Sequence, residues 1–111
     1  MTSLHKNLSI TRWQQLPFFE QMANIGAEIG RTIIWGKKNE TVSQAAFERG
    51  LELLDLTISD PKNKKSLKEL CRLREVLADY FYFNNIYGSS DEKWNNYFYG
   101  FNHAAAMQRN I

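Results

Sequence analysis

Aromatic side chains crowd one stretch of this chain, from Asp79 to Phe101, and that crowding limits what the chain can fold into. Ten of its fifteen aromatic residues lie there: Tyr80, Phe81, Tyr82, Phe83, Tyr87, Trp94, Tyr97, Phe98, Tyr99 and Phe101. A buried ring removes roughly 150–250 Å² from water, so this stretch should dominate either the core or an interface. Consecutive rings point around more than half a helical turn, so they cannot all face one core.

Four stretches carry the apolar spacing of amphipathic helices. The helices are predicted to begin at Phe18, at Thr41, between Pro61 and Ser66, and at Ser89. Capping boxes, in which two side chains three residues apart bond each other's free backbone N–H groups, support three of these starts. The pairs with that spacing are Thr41 with Gln44, Ser66 with Glu69, and Ser89 with Glu92.

No segment alternates apolar and polar residues with β-branched enrichment, so we expect no strand. The sequence therefore predicts an all-α fold, an up-down-up-down four-helix bundle of residues 16–111 behind a short N-terminal arm of residues 1–15. Trp13 and Leu16 are expected to tie the arm to the bundle. Gly36 is a candidate left-handed cap of the first helix.

Gly26 and Gly30 lie four residues apart on one face of the first predicted helix. Each costs about 1 kcal/mol of helix propensity relative to alanine. The two glycines are either simply tolerated or mark a place where another helix crosses closely. The sequence leaves both interpretations open.

Composition points to a cytoplasmic protein with no membrane contact. The chain has one cysteine, so no internal disulfide is possible, which suits a reducing compartment. It has no run of eighteen apolar residues and no signal-peptide core. The net charge of +2 and the pI of about 8.7 are only mildly basic.

The chemistry-bearing residues do not form a catalytic pattern, and we predict a protein that is not an enzyme. His5 and His103 lie at opposite ends of the chain, and no spacing typical of metal ligands occurs. We therefore expect no catalytic residue, no metal site and no cofactor. Cys71 has positive neighbours that favour a reactive thiol, but its helical position favours a small buried apolar side chain.

A basic cluster at the start of the third predicted helix is a candidate nucleic-acid-binding site. Its residues are Lys62, Lys64, Lys65, Lys68 and Arg72, with Arg74 beyond them. Binding to phosphates would weaken steeply with salt. The alternatives are a solvated helix face paired with Glu69 and Glu75 or with acidic residues of the second helix, and a surface for an acidic protein.

The surplus of rings suggests a second surface, on the third and fourth predicted helices. Exposed aromatic clusters mark interaction sites, and aromatic residues are enriched at interfaces. The candidate interface residues are Tyr80, Tyr82, Phe83, Tyr87, Trp94, Tyr97 and Tyr99. We predict a non-enzymatic assembly or adaptor protein, homo-oligomeric or bound to a protein partner, with an RNA- or DNA-binding accessory role as the alternative. Base stacking on these rings is the less favoured use.

Three segments resemble a group of short microbial helical proteins without an assigned function, and the resemblance extends over most of the chain from Trp13. These segments are residues 23–29 (ANIGAEI), 51–58 (LELLDLTI) and 97–105 (YFYGFNHAA). By architecture alone, the chain is also similar to four-helix accessory proteins of diversity-generating retroelements. That class assembles as rings and binds reverse transcriptase and nucleic acid, which is what this resemblance implies. It assigns no residue a role.

Overall fold

The computed structural model describes residues 10–109, which form helices and turns and contain no strand. The five α-helices are α1 (Ile10–Gln14), α2 (Phe18–Trp35), α3 (Glu40–Ile58), α4 (Leu67–Tyr82) and α5 (Asp91–Arg109). A 3-10 helix, Pro61–Ser66, runs directly into α4. The predicted all-α fold is confirmed, while the up-down-up-down order of the four long helices stays a prediction.

Helix α2 is the centre of the fold, because it packs against both α3 and α5. Its Met22, Ile25 and Ile29 are buried at the predicted helical spacing. Each such side chain contributes about 1.5–3 kcal/mol by leaving water. A Cβ at Gly26 would lie 2.8 Å from the Cβ of Phe98 on α5, so of the two interpretations left open by the sequence the close helix crossing holds at Gly26. Gly30 has no such neighbour within 4 Å.

Helix α4 lies at the edge of this arrangement and buries one stripe. Leu70, Leu73 and Leu77 enter the same core as Phe47 and Leu54 of α3. Their spacing of three and four residues is that of one helix face. The opposite face of α4 remains exposed, which matters for the site described below.

The helix starts were predicted to within two residues, but the three predicted capping boxes were wrong. Asn39, not Thr41, caps α3, with its Oδ1 accepting from the Val42 N–H at 3.1 Å. Ser66 makes no side-chain cap bond, because the 3-10 helix already supplies a carbonyl for the first N–H of α4. Ser90, not Ser89, accepts a bond from the Lys93 N–H.

The left-handed cap predicted at Gly36 was also wrong. Gly36 follows α2 with φ of 10° and ψ of −103°, outside the left-handed region, and its N–H bonds to the carbonyl of Thr32. The turn to α3 is short. The carbonyl of Trp35 accepts from both Lys38 and Asn39, which holds the chain close to the end of α2.

A buried polar network fastens α1 to the body of the protein. The amide of Gln21 donates to the Trp13 carbonyl and to the Asp60 carboxylate, and its oxygen accepts from Asn63 at 2.9 Å. Trp13 is buried and donates its indole N–H to Thr57 at 3.1 Å. The described part of the arm is therefore packed. Residues 1–9, including His5, lie outside the described residues, and the boundary at residue 15 stays a prediction.

Candidate interaction surface

The turn between α4 and α5 is built on one buried carboxylate, that of Asp79. Its two oxygens accept from the backbone N–H groups of Ile86 at 3.0 Å and Tyr87 at 3.1 Å. The Asp79 carbonyl accepts from Phe83 and Asn85 as well. Because bonds to a charged acceptor are stronger than neutral ones, the chain after α4 is held in one conformation.

Asn85 and Gly88 let this turn close. Asn85 has φ of 53°, a left-handed conformation that asparagine tolerates better than most residues, and Gly88 has φ of 66°. The side chain of Asn85 bonds both backbone groups of Ser89, accepting from the N–H at 2.7 Å and donating to the carbonyl at 3.0 Å. The turn is therefore fixed by polar contacts at both of its ends.

The turn that these hydrogen bonds stabilise exposes apolar side chains to solvent. Phe83 is 72% exposed, Ile86 78% and Tyr87 39%. We call these three residues the 83–87 surface. Beside them lies a groove of about 330 Å³, whose lining also includes Glu75, Ala78 and Asp79 of α4. Exposed apolar side chains around a groove are typical of binding surfaces.

The basic cluster meets this surface through Arg72, whose guanidinium lies 4.7 Å from the centre of the Tyr87 ring. Such a cation–π contact at an exposed site is worth about 0.5–1 kcal/mol. We call the exposed residues Lys64, Lys65, Lys68 and Arg72 the basic face. The basic face and the 83–87 surface are thus continuous along α4.

The charges of the basic cluster are used unequally. Lys62 donates to the Asp60 carboxylate and to the Gln14 carbonyl, so its ammonium group is engaged in contacts within the molecule. Burial alone would raise the pKa of Asp60, but hydrogen bonds from Lys62 and Gln21 lower it overall. Arg74 pairs with Asp55 of α3. Among residues 10–109, the lysines of the basic face pair with no carboxylate within 4.0 Å, so the expected pairing with Glu69 and Glu75 is not seen.

The other predicted interface residues are placed differently from the 83–87 surface. Trp94 is buried in the core, and Tyr80 and Tyr97 are partly buried against it. Tyr82 is 46% exposed with one face against Phe47, and Tyr99 is 68% exposed on α5, stacked on His103. Of the seven predicted residues, the structure brings only Phe83 and Tyr87 together around the groove.

Two partly buried tyrosines have pKa values well above the usual value. Burial and the hydrogen bond from its hydroxyl to Asp91, 2.7 Å long, raise the pKa of Tyr80 to about 12. Burial and the negative charge of Glu69 raise the pKa of Tyr97 to about 12. Both phenols are therefore neutral at physiological pH, and neither is activated as a base.

The structure changes the interpretation of Cys71, which is exposed on the outer face of α4 and not buried as favoured. His103 is exposed as well. Across the part of the chain that the structure describes, no three His, Cys, Asp or Glu side chains converge to hold a metal ion. Neither Cys71 nor His103 lines the groove.

Ile86 was missed by the sequence reasoning, although it is the most exposed large apolar residue of the surface. It lies between Asn85 and Gly88, in a stretch that was interpreted only as a turn. Turns favour polar residues and glycine, so an isoleucine at this position does not help to form the turn. That mismatch was the available signal that Ile86 is exposed for a reason other than the turn itself.

We found no match to this chain among protein-family models, curated proteins or solved structures. The resemblances drawn from the sequence therefore stay predictions. No helix within residues 10–109 combines the length and the apolar character needed to cross a membrane.

Proposed function

We propose that this protein is a non-enzymatic assembly protein that self-associates through the 83–87 surface. The observation that carries the proposal is the exposure of Phe83 and Ile86 on a turn fixed by the Asp79 carboxylate. A flexible loop would lose conformational entropy on binding, at a free-energy cost of about 0.5–1.5 kcal/mol for each immobilised side chain. Here much of that ordering is already present before the partner arrives.

The architecture behind the proposal is an up-down-up-down bundle of the four long helices. Two contacts support it. Arg109 at the end of α5 meets Glu20 at the start of α2, and Phe81 at the end of α4 meets Phe47 in the first half of α3. We place the protein in the cytoplasm, supported by its single, unpaired cysteine.

Light scattering coupled to size-exclusion chromatography tests the proposal. At roughly 50 µM the chain is expected to elute as an oligomer, because an association in the micromolar range is then largely complete. Replacing both Phe83 and Ile86 by serine should give a monomer of unchanged helix content. The matched control is Ile34→Ser, which removes another strongly exposed apolar side chain (63%) from α2. A wild-type monomer, or equal effects of the test and control variants, would refute self-association through this surface.

Nucleic-acid binding through the basic face is a second candidate function, favoured by the absence of carboxylate partners for its lysines within residues 10–109. Fluorescence anisotropy with labelled single-stranded and duplex RNA and DNA tests it. Lys64→Glu with Lys68→Glu should abolish binding, and added salt should weaken it steeply. Lys37→Glu with Lys38→Glu, the same change of charge in the α2–α3 turn, is the control. No binding, or binding that neither added salt nor the Lys64→Glu/Lys68→Glu variant weakens, would exclude this role.

A further inference from the structure

The two ends of the exposed face of α4 are complementary to each other in charge and shape. From start to end, that face changes from the basic face to a carboxylate, Glu75, and then to the groove and the 83–87 surface. Leu67 at the beginning of α4 is a large apolar side chain, 43% exposed. One end of the helix thus offers a projecting leucine among lysines, and the other offers an apolar groove among rings.

We propose that a second copy of this chain covers the face, with the two α4 helices antiparallel about a two-fold axis. Leu67 of each copy would enter the groove of the other. The lysines of each basic face would then lie over the rings of the opposite 83–87 surface. This inference rests on the proposed self-association and adds the partner face and its direction.

The spacing along α4 agrees with such a pairing. Leu67 and Phe83 are about 24 Å apart along the helix axis at 1.5 Å per residue. If Leu67 lies at the level of position 80 of the other copy, between the groove residues Asp79 and Phe83 along the chain, the axis passes midway between positions 73 and 74. Arg72 and Glu75 are then equidistant from it on opposite sides. Each arginine faces the glutamate of the other copy, so both charges find partners at once.

A parallel arrangement of the two α4 helices is unfavourable because of the same charges. It would place Arg72 against Arg72 and the lysines against one another, and like charges in contact across an interface are costly. In the antiparallel arrangement, lysine stems cover apolar rings while the ammonium groups remain at the ring faces or in water. A two-fold dimer also buries the same patch on both subunits, which is how closed homodimers form.

Groups on neighbouring elements do not compete for these charges. Glu69 on α4 lines a second depression beside Tyr97 of α5, which Arg72 also lines, but within residues 10–109 Glu69 forms no ion pair with Arg72 within 4.0 Å. The acidic side chain of Asp55 on α3 is taken by Arg74. The Asp79 carboxylate is occupied by its own turn. Glu75 is an exposed acid of α4 that lines the groove, and a second copy's Arg72 can turn toward it.

Charge reversal with rescue between two variants tests the pairing. Arg72→Glu alone and Glu75→Arg alone should each weaken the wild-type dimer at least about tenfold, because like charges then meet at both symmetric positions. Mixed in equal amounts, the two variants should form a heterodimer with nearly wild-type affinity. Contacts within one chain cannot produce that rescue. Lys38→Glu, a charge reversal in the α2–α3 turn, should leave dimerisation unchanged.

Sedimentation velocity on the full chain separates the outcomes, and circular dichroism checks that each variant is folded. A wild-type dimer with no rescue in the mixture would overturn the antiparallel pairing but leave self-association intact. A monomeric wild type would overturn both. If a reversed variant unfolds, Arg72→Gln and Glu75→Gln replace it, and each should weaken the dimer and reduce its sensitivity to salt. Unchanged dimers in both glutamine variants would also refute the pairing.

Discussion

Gly26 of α2 lies directly against Phe98 of α5, so closely that a Cβ at position 26 would be 2.8 Å from the Cβ of Phe98. Phe98 is itself buried and stacked on Trp94, so it has little room to move. The absence of a side chain at Gly26 is therefore what sets the distance between the two helices.

We expect Gly26→Ala to destabilise the protein by about 1–3 kcal/mol, because the added methyl group overpacks the crossing. Gly30→Ala is the matched control on the same helix, where a Cβ meets nothing within 4 Å. It should stabilise the protein by up to about 1 kcal/mol through helix propensity. Urea unfolding followed by circular dichroism measures both changes. Equal effects at the two positions would contradict the close crossing.

Removing the Asp79 carboxylate should loosen the 83–87 turn. In Asp79→Ala the backbone N–H groups of Ile86 and Tyr87 lose their bonds to a charged acceptor, each worth up to about 1.5–3 kcal/mol. Amide hydrogen exchange of these two residues should accelerate more than that of α2. Glu92→Ala, which removes an exposed carboxylate from α5, serves as the control. Protection of both amides that survives in Asp79→Ala would show that the turn does not depend on this anchor.

Gln21 should be among the most sensitive polar residues, because it is fully buried and its amide group bonds three partners. Gln21→Ala removes one hydrogen bond from each of Asp60 and Asn63, although Asp60 keeps its bonds from Lys62 and Asn63 keeps its bond to the Thr57 carbonyl. The loss of these buried bonds should lower the free energy of unfolding by about 1–3 kcal/mol. Gln44→Ala, on the exposed side of α3, should change it little. Chemical denaturation of both variants provides the comparison, and similar midpoints would argue against a structural role for the network.

Stability should fall in alkaline solution because of the partly buried tyrosines. In the unfolded chain a tyrosine ionises near pH 10, whereas the pKa values of Tyr80 and Tyr97 in the folded protein are about 12. Between these values the unfolded state binds fewer protons, so the free energy of unfolding decreases as pH rises. The contribution is complete below about pH 10 and is lost as pH passes about 12.

Urea unfolding across this alkaline range should therefore give a falling free energy of unfolding, with a smaller slope in Tyr97→Phe. Phenylalanine keeps the ring contacts with Trp94 and Phe98 but cannot ionise. Absorbance of the tyrosinate ion in the same samples reports the titration directly. Identical slopes in the wild type and Tyr97→Phe would contradict the raised pKa of this residue.

Helix positions and the aromatic surplus could be read from the sequence because they depend on short-range patterns. The stripe containing Met22, Ile25 and Ile29 predicted both a helix and its buried face. The capping-box predictions failed because an N-cap depends on which nearby side-chain oxygen can accept from a free backbone N–H. Asn39 accepts from the Val42 N–H and Ser90 accepts from the Lys93 N–H. Cys71 was misplaced because sequence spacing does not reveal which face of α4 lacks a neighbour.

By itself, the sequence determined that the chain is helical and that its last third contains more rings than one helix face can bury, since periodicity and ring spacing are local properties. Only the tertiary structure decided which rings remain in water. Trp94 is buried and Phe83 is exposed because α5 crosses α2 at Gly26, while the Asp79 carboxylate turns the chain outward after α4. The Gly26–Phe98 contact joins residues far apart along the chain, and the Asp79 bonds reach past the three- and four-residue spacing of a helix, so the apolar pattern of the sequence encodes neither.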